Sequence, residues 1–124
     1  ALPGNQGGHP RSTGTFPRVL GHYVRELQII SLEEAIRKMT SMPANFIGLK
    51  TRGQIADGFP ADIVVFDPAT IIDKSTFVQP NLFSIGVIHV FVNGELVLFE
   101  KKITGKKPGK FLKKESFESY KYDE

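Results

Sequence analysis

The hydrophobic rhythm of the chain changes once, near Leu49. Before that point apolar residues recur at helical spacing. Phe16, Val19, Leu20, Tyr23, Val24 and Leu27 form one stripe and predict a helix over residues 15–27. Thr15 or Gly14 can cap it, and Pro17 would then sit in the first turn, where a missing amide costs no hydrogen bond. Gly21 within the stripe either permits close packing or weakens the helix. Ser31-Leu-Glu-Glu34 has the form of a capping box, with the serine oxygen accepting the Glu34 amide and the glutamate reaching back to the serine amide. Leu32, Ala35, Ile36 and Met39 supply the buried face of that second helix. Pro43 opens a third, short helix through Phe46 and Ile47, and Gly48 ends it.

Beyond Leu49 the pattern shortens. Gly53-Gln-Ile-Ala-Asp-Gly58 is turn-rich, and Asp62-Ile-Val-Val-Phe-Asp67 is a β-branched run bounded by charge and Pro68. Val87-Ile-His-Val-Phe-Val92 and Glu95-Leu-Val-Leu-Phe99 flank Asn93-Gly94, which predicts a type I′ hairpin because both turn positions need positive φ. Strands are thus expected near 62–67, 87–92 and 95–100, with residues 68–86 irregular. Phe111 and Leu112 are candidates to anchor a tail. Three strands make a poor sheet alone, so either the helices cover it or strands from elsewhere complete it.

Composition adds boundaries. With 40% apolar and 23% charged residues, the chain falls among folded rather than disordered sequences. No apolar run approaches the length of a membrane helix, and no leader pattern is read, so a cytoplasmic location is the expectation. Zero cysteines exclude disulfides and thiolate metal sites within the chain. The net charge of +3 hides seven lysines between Lys101 and Lys114, without an acid among them. A basic tract can bind nucleic acid, but this one lacks arginine and any surrounding motif, and reads as a solvated turn and tail. Leu2-Pro-Gly-Asn-Gln-Gly-Gly-His-Pro10 is loop chemistry without a period. A domain rarely begins inside such a loop, so a piece of a larger domain is expected.

Catalytic groups are scarce. His9, His22 and His89 form no His-x-His or His-x-x-x-His pair, whereas a hydrolytic zinc site needs about three protein ligands and an open position. Ser12, Thr13 and Thr15 stand near His9 without an elbow or an orienting acid. Glu33 and Glu34 point in different directions on a helix. The expectation is no catalytic residue and no metal ligand in this chain.

A resemblance supplies what composition does not. Gly8-His-Pro-Arg-Ser-Thr-Gly-Thr-Phe-Pro-Arg-Val-Leu-Gly-His-Tyr-Val-Arg-Glu26, followed by Leu32-Glu-Glu-Ala-Ile-Arg-Lys-Met-Thr-Ser-Met-Pro-Ala44, closely resembles the end of the barrel in N-acyl-D-amino-acid deacylases of the D-aminoacylase family. Gly53-Gln-Ile-Ala-Asp-Gly-Phe-Pro-Ala-Asp-Ile-Val-Val-Phe-Asp67 and Val90-Phe-Val-Asn-Gly94 resemble the wider amidohydrolase superfamily, where the chain enters its small β domain. The resemblance implies an α+β fragment: the last loop and helices of a (β/α)₈ barrel over residues 1–50, part of a small β-sandwich domain over 51–112, and a polar tail over 113–124. It implies a zinc-activated water attacking the amide of an N-acyl-D-amino acid at the carboxyl ends of the barrel strands. The family's metal ligands and its proton-accepting aspartate stand earlier than this sequence begins. Zinc is therefore implied for the intact parent and not for this chain.

By the same resemblance Arg11 matches the family's arginine for the substrate α-carboxylate, a role suited to a guanidinium fork. His9 is a weaker candidate that could orient the missing aspartate, line the pocket or stabilise the loop. Thr13 departs from an aromatic residue expected before Gly-Thr-Phe-Pro, which bears on specificity, and Arg18 reads as support for the helix and loop. The expected partners are the N-acyl-D-amino acid and the remainder of the amidohydrolase chain, or a second copy joined through exposed strand edges. The rival to an enzyme part is a non-catalytic dimerising module derived from an amidohydrolase tail.

Overall fold

The computed structural model describes residues 8–113; the loop expected over 1–7 and nearly all of the polar tail expected over 113–124 lie outside them. Helix α1 (Arg11–Arg18) begins earlier than the apolar stripe predicts, so Pro17 stands inside it. Neither Thr15 nor Gly14 caps it, and the N-cap position falls to Pro10. Thr15 instead donates its hydroxyl back to the Arg11 carbonyl at 2.7 Å. An interior proline strands the carbonyl four residues before it, at a cost of about 3 kcal/mol. Here that carbonyl, on Thr13, accepts a hydrogen bond from Ser84 Oγ at 3.2 Å. A partner 71 residues away replaces the lost amide.

The helix then widens into a π-helix over Val19–Glu26, closed by the Leu27 amide on the His22 carbonyl at 2.9 Å. Gly21 in this stretch serves close packing. A Cβ there would meet the Ile71 carbonyl oxygen at 2.3 Å and Ile72 Cδ1 at 2.5 Å. Gly14, two turns earlier, would meet Asp73 Cβ at 2.8 Å in the same way. The glycines let residues 71–73 lie directly on the helix. Of the predicted stripe only Leu20 is buried, while Phe16, Tyr23 and Leu27 remain exposed.

Helix α2 (Leu32–Met39) starts as predicted, with Ser31 Oγ accepting the Glu34 amide at 3.2 Å. The reciprocal half of the box is missing. The Glu34 carboxylate grips the Arg37 guanidinium at 2.6 and 2.8 Å instead, a bond that holds its carboxyl below the usual range. Helix α3 (Ser41–Ile47) ends at Gly48, φ 79°, with the Gly48 amide on Asn45 and the Leu49 amide on Ala44. This is the paired-bond motif that a left-handed glycine makes possible.

The sheet is antiparallel, in order β1 (Ile63–Phe66), β2 (Val87–Val92), β3 (Glu95–Phe99), β4 (Lys102–Ile103). Asn93 and Gly94 both take positive φ, 49° and 79°, as the hairpin requires. The fourth strand was not expected. It is reached through Glu100 and Lys101, whose φ values of 44° and 67° form a second two-residue turn without a glycine or asparagine. Left-handed backbone costs such residues about 1–2 kcal/mol each. Replacing Glu100-Lys101 by Asn-Gly should therefore raise stability by about 1 kcal/mol or more, read as a higher urea midpoint at unchanged slope.

Asp62 ties the loop before β1 to the first hairpin. Its carboxylate accepts the Asn93 amide at 2.8 Å and pairs with Arg52. Partial burial pushes the Asp62 carboxyl up, but the Asn93 amide and Arg52 together outweigh it and leave the group below its usual range. The lysine tract is partly organised: Lys106 Nζ meets Glu95 at 2.7 Å, and Asn93 Nδ2 donates to the Pro108 carbonyl at 2.8 Å. Phe111 and Leu112, expected to anchor the tail, are both exposed.

The core is small. Leu20, Ala35 (1% exposed) and Ile71 (2% exposed) form its centre, and Phe66 and Val87 reach it from one end of the sheet. Ile71 is wedged between the π-helix and Gly86, where a Cβ would stand 2.4 Å from the Ile71 Cα. Apart from the end at Phe66 and Val87, the helices do not cover the sheet, and their contacts run chiefly among themselves. Val64, Val90, Leu98 and Ile103 are register partners in one row across four strands, with its ends 54% and 62% exposed. No helix among the described residues is long and apolar enough to cross a membrane.

Candidate functional site

The first turn of α1 and the connection between β1 and β2 meet in an open cleft of about 460 Å³, lined by residues of 9–23 on one side and 73–77 on the other. Both residues singled out in the sequence lie in it. Arg11 is exposed, and among the described residues its guanidinium has no hydrogen bond or ion pair. His9 accepts the Arg11 amide on Nδ1 at 3.2 Å and presents its ring edge-on to Phe77, centroids 5.1 Å apart at 80°. Of the roles open to His9, lining the cleft and fixing the loop are those with contacts.

The opposite wall came from residues the sequence left as irregular. Asp73 Oδ2 meets Arg18 Nη1 at 3.5 Å, a contact between α1 and the opposite wall, and Arg18 also lines the cleft. Ser75, 8% exposed, bonds Thr13 Oγ1 at 2.6 Å, accepts the Leu82 amide at 3.1 Å and reaches the Leu82 carbonyl at 3.0 Å. Thr13 Oγ1 also contacts the Pro80 carbonyl at 3.0 Å. Thr13 is thus a clasp between α1 and residues 75–82 and is absent from the cleft lining. A turn closed by the Thr76 amide on the Gln79 carbonyl and the Gln79 amide on Thr76 Oγ1, both 3.0 Å, carries Phe77 at its tip. The run Asp73-Lys-Ser-Thr76 between Ile72 and Phe77, polar amid apolar flanks, was the available signal for this wall.

The arrangement can hold an anion and orient what is attached to it; it offers no nucleophile with a base. Nor do these residues fit a hydrolytic zinc centre. Among the described residues no three of His, Cys, Asp and Glu converge. His22 Nδ1 is bonded to Glu26 at 2.7 Å, a contact that lowers the Glu26 carboxyl, and His89 is stacked on Phe99 at 5.0 Å.

The profile of the amidohydrolase family matches residues 7–98. D-aminoacylase of Alcaligenes xylosoxydans xylosoxydans is 49% identical over 111 residues, which are 90% of this chain and 23% of that protein. A crystal structure of D-aminoacylase superposes with a TM-score of 0.77 at 50% identity, over 79% of this chain and 21% of its own. N-acyl-D-glutamate deacylase of Bordetella bronchiseptica, solved with zinc and a phosphonate mimic of the tetrahedral intermediate, gives 0.71 at 48% identity, over 72% and 19%. The chain spans about a quarter or less of the length of these relatives.

Proposed function

This chain belongs to the amidohydrolase family, and we propose that it forms part of a zinc-dependent enzyme that hydrolyses the linear amide bond of N-acyl-D-amino acids. In that reading residues 1–50 are the end of a (β/α)₈ barrel, 51–112 part of a β-sandwich domain, and 113–124 a polar tail of a cytoplasmic protein. The observation that supports it is the cleft around Arg11, whose guanidinium has no hydrogen bond or ion pair among the described residues and which matches, by resemblance, the family's arginine for the substrate carboxylate. Its two parallel donors fix both carboxylate oxygens and so the direction in which the scissile amide extends. His9 fixes the loop through the Arg11 amide. Zinc, and the base that takes a proton from water, belong to other parts of the enzyme, since the side chains of 8–113 do not assemble a site for either.

The complete zinc-loaded polypeptide should hydrolyse N-acetyl-D-methionine and spare the L-enantiomer, while residues 1–124 alone show no turnover. Hydrolysis by the isolated chain, or none by the complete enzyme, would sink the proposal. One observation favours a second reading, a dimerising module: the uncovered apolar row from Val64 to Ile103. Light scattering on the isolated chain separates the two, because pairing through strand edges requires a dimer and a clean monomer rules it out. The lysine tract, partly tied to Glu95, gives no support to nucleic-acid binding.

A further inference from the structure

We propose that Thr13 is a positioning residue: its hydroxyl locks the first turn of α1 to the connection between β1 and β2, and so holds Arg11 at the angle at which it meets a carboxylate. This rests on the reading in which Arg11 grips the substrate. Thr13 itself stays out of the cleft lining. Its influence passes through the backbone to a side chain two residues away.

Arg11 is fastened on both sides, and each fastening leads to the same segment. Before it, His9 Nδ1 accepts the Arg11 amide at 3.2 Å, while the His9 ring stands edge-on to Phe77. After it, Thr13 is bonded through two different groups. Its hydroxyl meets Ser75 Oγ at 2.6 Å and the Pro80 carbonyl at 3.0 Å, and its own carbonyl accepts Ser84 Oγ at 3.2 Å. That carbonyl is the one Pro17 leaves without a helical partner. The start of α1 thus draws on residues 75–84 for its fastening. Arginine is long, so a small rotation of the turn becomes a larger displacement at the guanidinium, and a bidentate pair tolerates little of it.

The clasp needs both hydroxyls. Thr13 and Ser75 carry one hydroxyl proton each, yet each also faces a carbonyl at 3.0 Å, of Pro80 and of Leu82 respectively. The 2.6 Å contact between them is the shortest, and without a proton two oxygens at that distance repel. A directed chain therefore runs through both residues. The Leu82 amide, donating to the buried Ser75 Oγ at 3.1 Å, fixes its inner end.

The test is a double-mutant cycle on kcat/KM for N-acetyl-D-methionine in the complete zinc-loaded enzyme, built from Thr13→Val and Arg11→Ala. Valine keeps the shape of threonine and lacks its hydroxyl. Thr13→Val alone should lose about tenfold, and Thr13→Ser should restore most of that. In the Arg11→Ala background the same change should cost less than about twofold, because the group it misplaces is already gone. A threonine that only stabilises the fold would lower the urea midpoint without moving this coupling. A tenfold loss in both backgrounds, no loss in wild type, or a Thr13→Ser loss equal to that of Thr13→Val overturns the proposal. Where Thr13→Val does not fold, Ser75→Ala runs the same cycle from the opposite wall, with a smaller loss because Thr13 keeps the Pro80 carbonyl. Arg11→Ala alone separates the two readings. No loss there sinks the carboxylate grip and the clasp together; a loss there with additive Thr13→Val sinks the clasp only.

Discussion

Arg11→Ala in the complete enzyme should lower kcat/KM for N-acetyl-D-methionine by roughly 100- to 1,000-fold, or about 3–4 kcal/mol of transition-state binding. A bidentate guanidinium–carboxylate pair is among the stronger polar contacts, and here no protein carboxylate among the described residues competes for it. Arg11→Lys should recover only part of the loss, because an ammonium is a point charge and cannot match both oxygens. The decisive control is a substrate whose α-carboxylate is replaced by a carboxamide. If Arg11 grips the carboxylate, this analogue is already a poor substrate and Arg11→Ala costs it little more. If the arginine merely holds the loop, both substrates lose equally. Folding is not expected to interfere, since Arg11 is exposed and, among the described residues, its side chain makes no hydrogen bond or ion pair that its removal would break.

What the sequence disclosed and what it hid divide along sequence distance. Ser31, Gly48 and Asn93-Gly94 were legible because each acts on a partner within a few residues: the serine on Glu34, the glycine on Asn45, the hairpin pair on its own φ angles. Pro17 was misplaced because its acceptability depends on Ser84, and no local rule connects the two. The fourth strand was missed for another reason, that Glu100 and Lys101 adopt a conformation their side chains disfavour. At the site, Arg11 and His9 came from a family resemblance. Asp73, Ser75 and Phe77 could not, because residues 68–86 have no period, and only docking against Gly14 and Gly21 gives them a fixed place. The same docking explains how a chain with so small a core can shape a cleft: the wall is held by a backbone laid on glycines and a hydroxyl clasp, not by bulk.

That close approach predicts the largest stability effect of a single methyl group. Gly86→Ala should destabilise the chain by more than about 3 kcal/mol, whereas Gly58→Ala should cost only about 1–2. The two glycines share a left-handed backbone, φ 87° and 79°, so the conformational penalty is nearly the same at both. Their surroundings differ. A Cβ on Gly86 would stand 2.4 Å from the Ile71 Cα, 2.5 Å from its nitrogen and 2.9 Å from its Cβ, while around Gly58 nothing lies within 4 Å. The Ile71 backbone cannot yield as a flexible side chain would. It accepts Arg25 on its carbonyl at 2.7 Å, donates to Asp67 at 2.9 Å, and is backed by Gly21 on the far side. Moving it would open the contact among Leu20, Ala35 and Ile71 that makes up most of the core. Urea titrations of both variants isolate the steric part, as the difference between them. A Gly86→Ala midpoint equal to that of Gly58→Ala would mean that residues 71 and 86 are not in contact in solution, and that the wall carrying Asp73 and Phe77 is not fixed to the helix that carries Arg11.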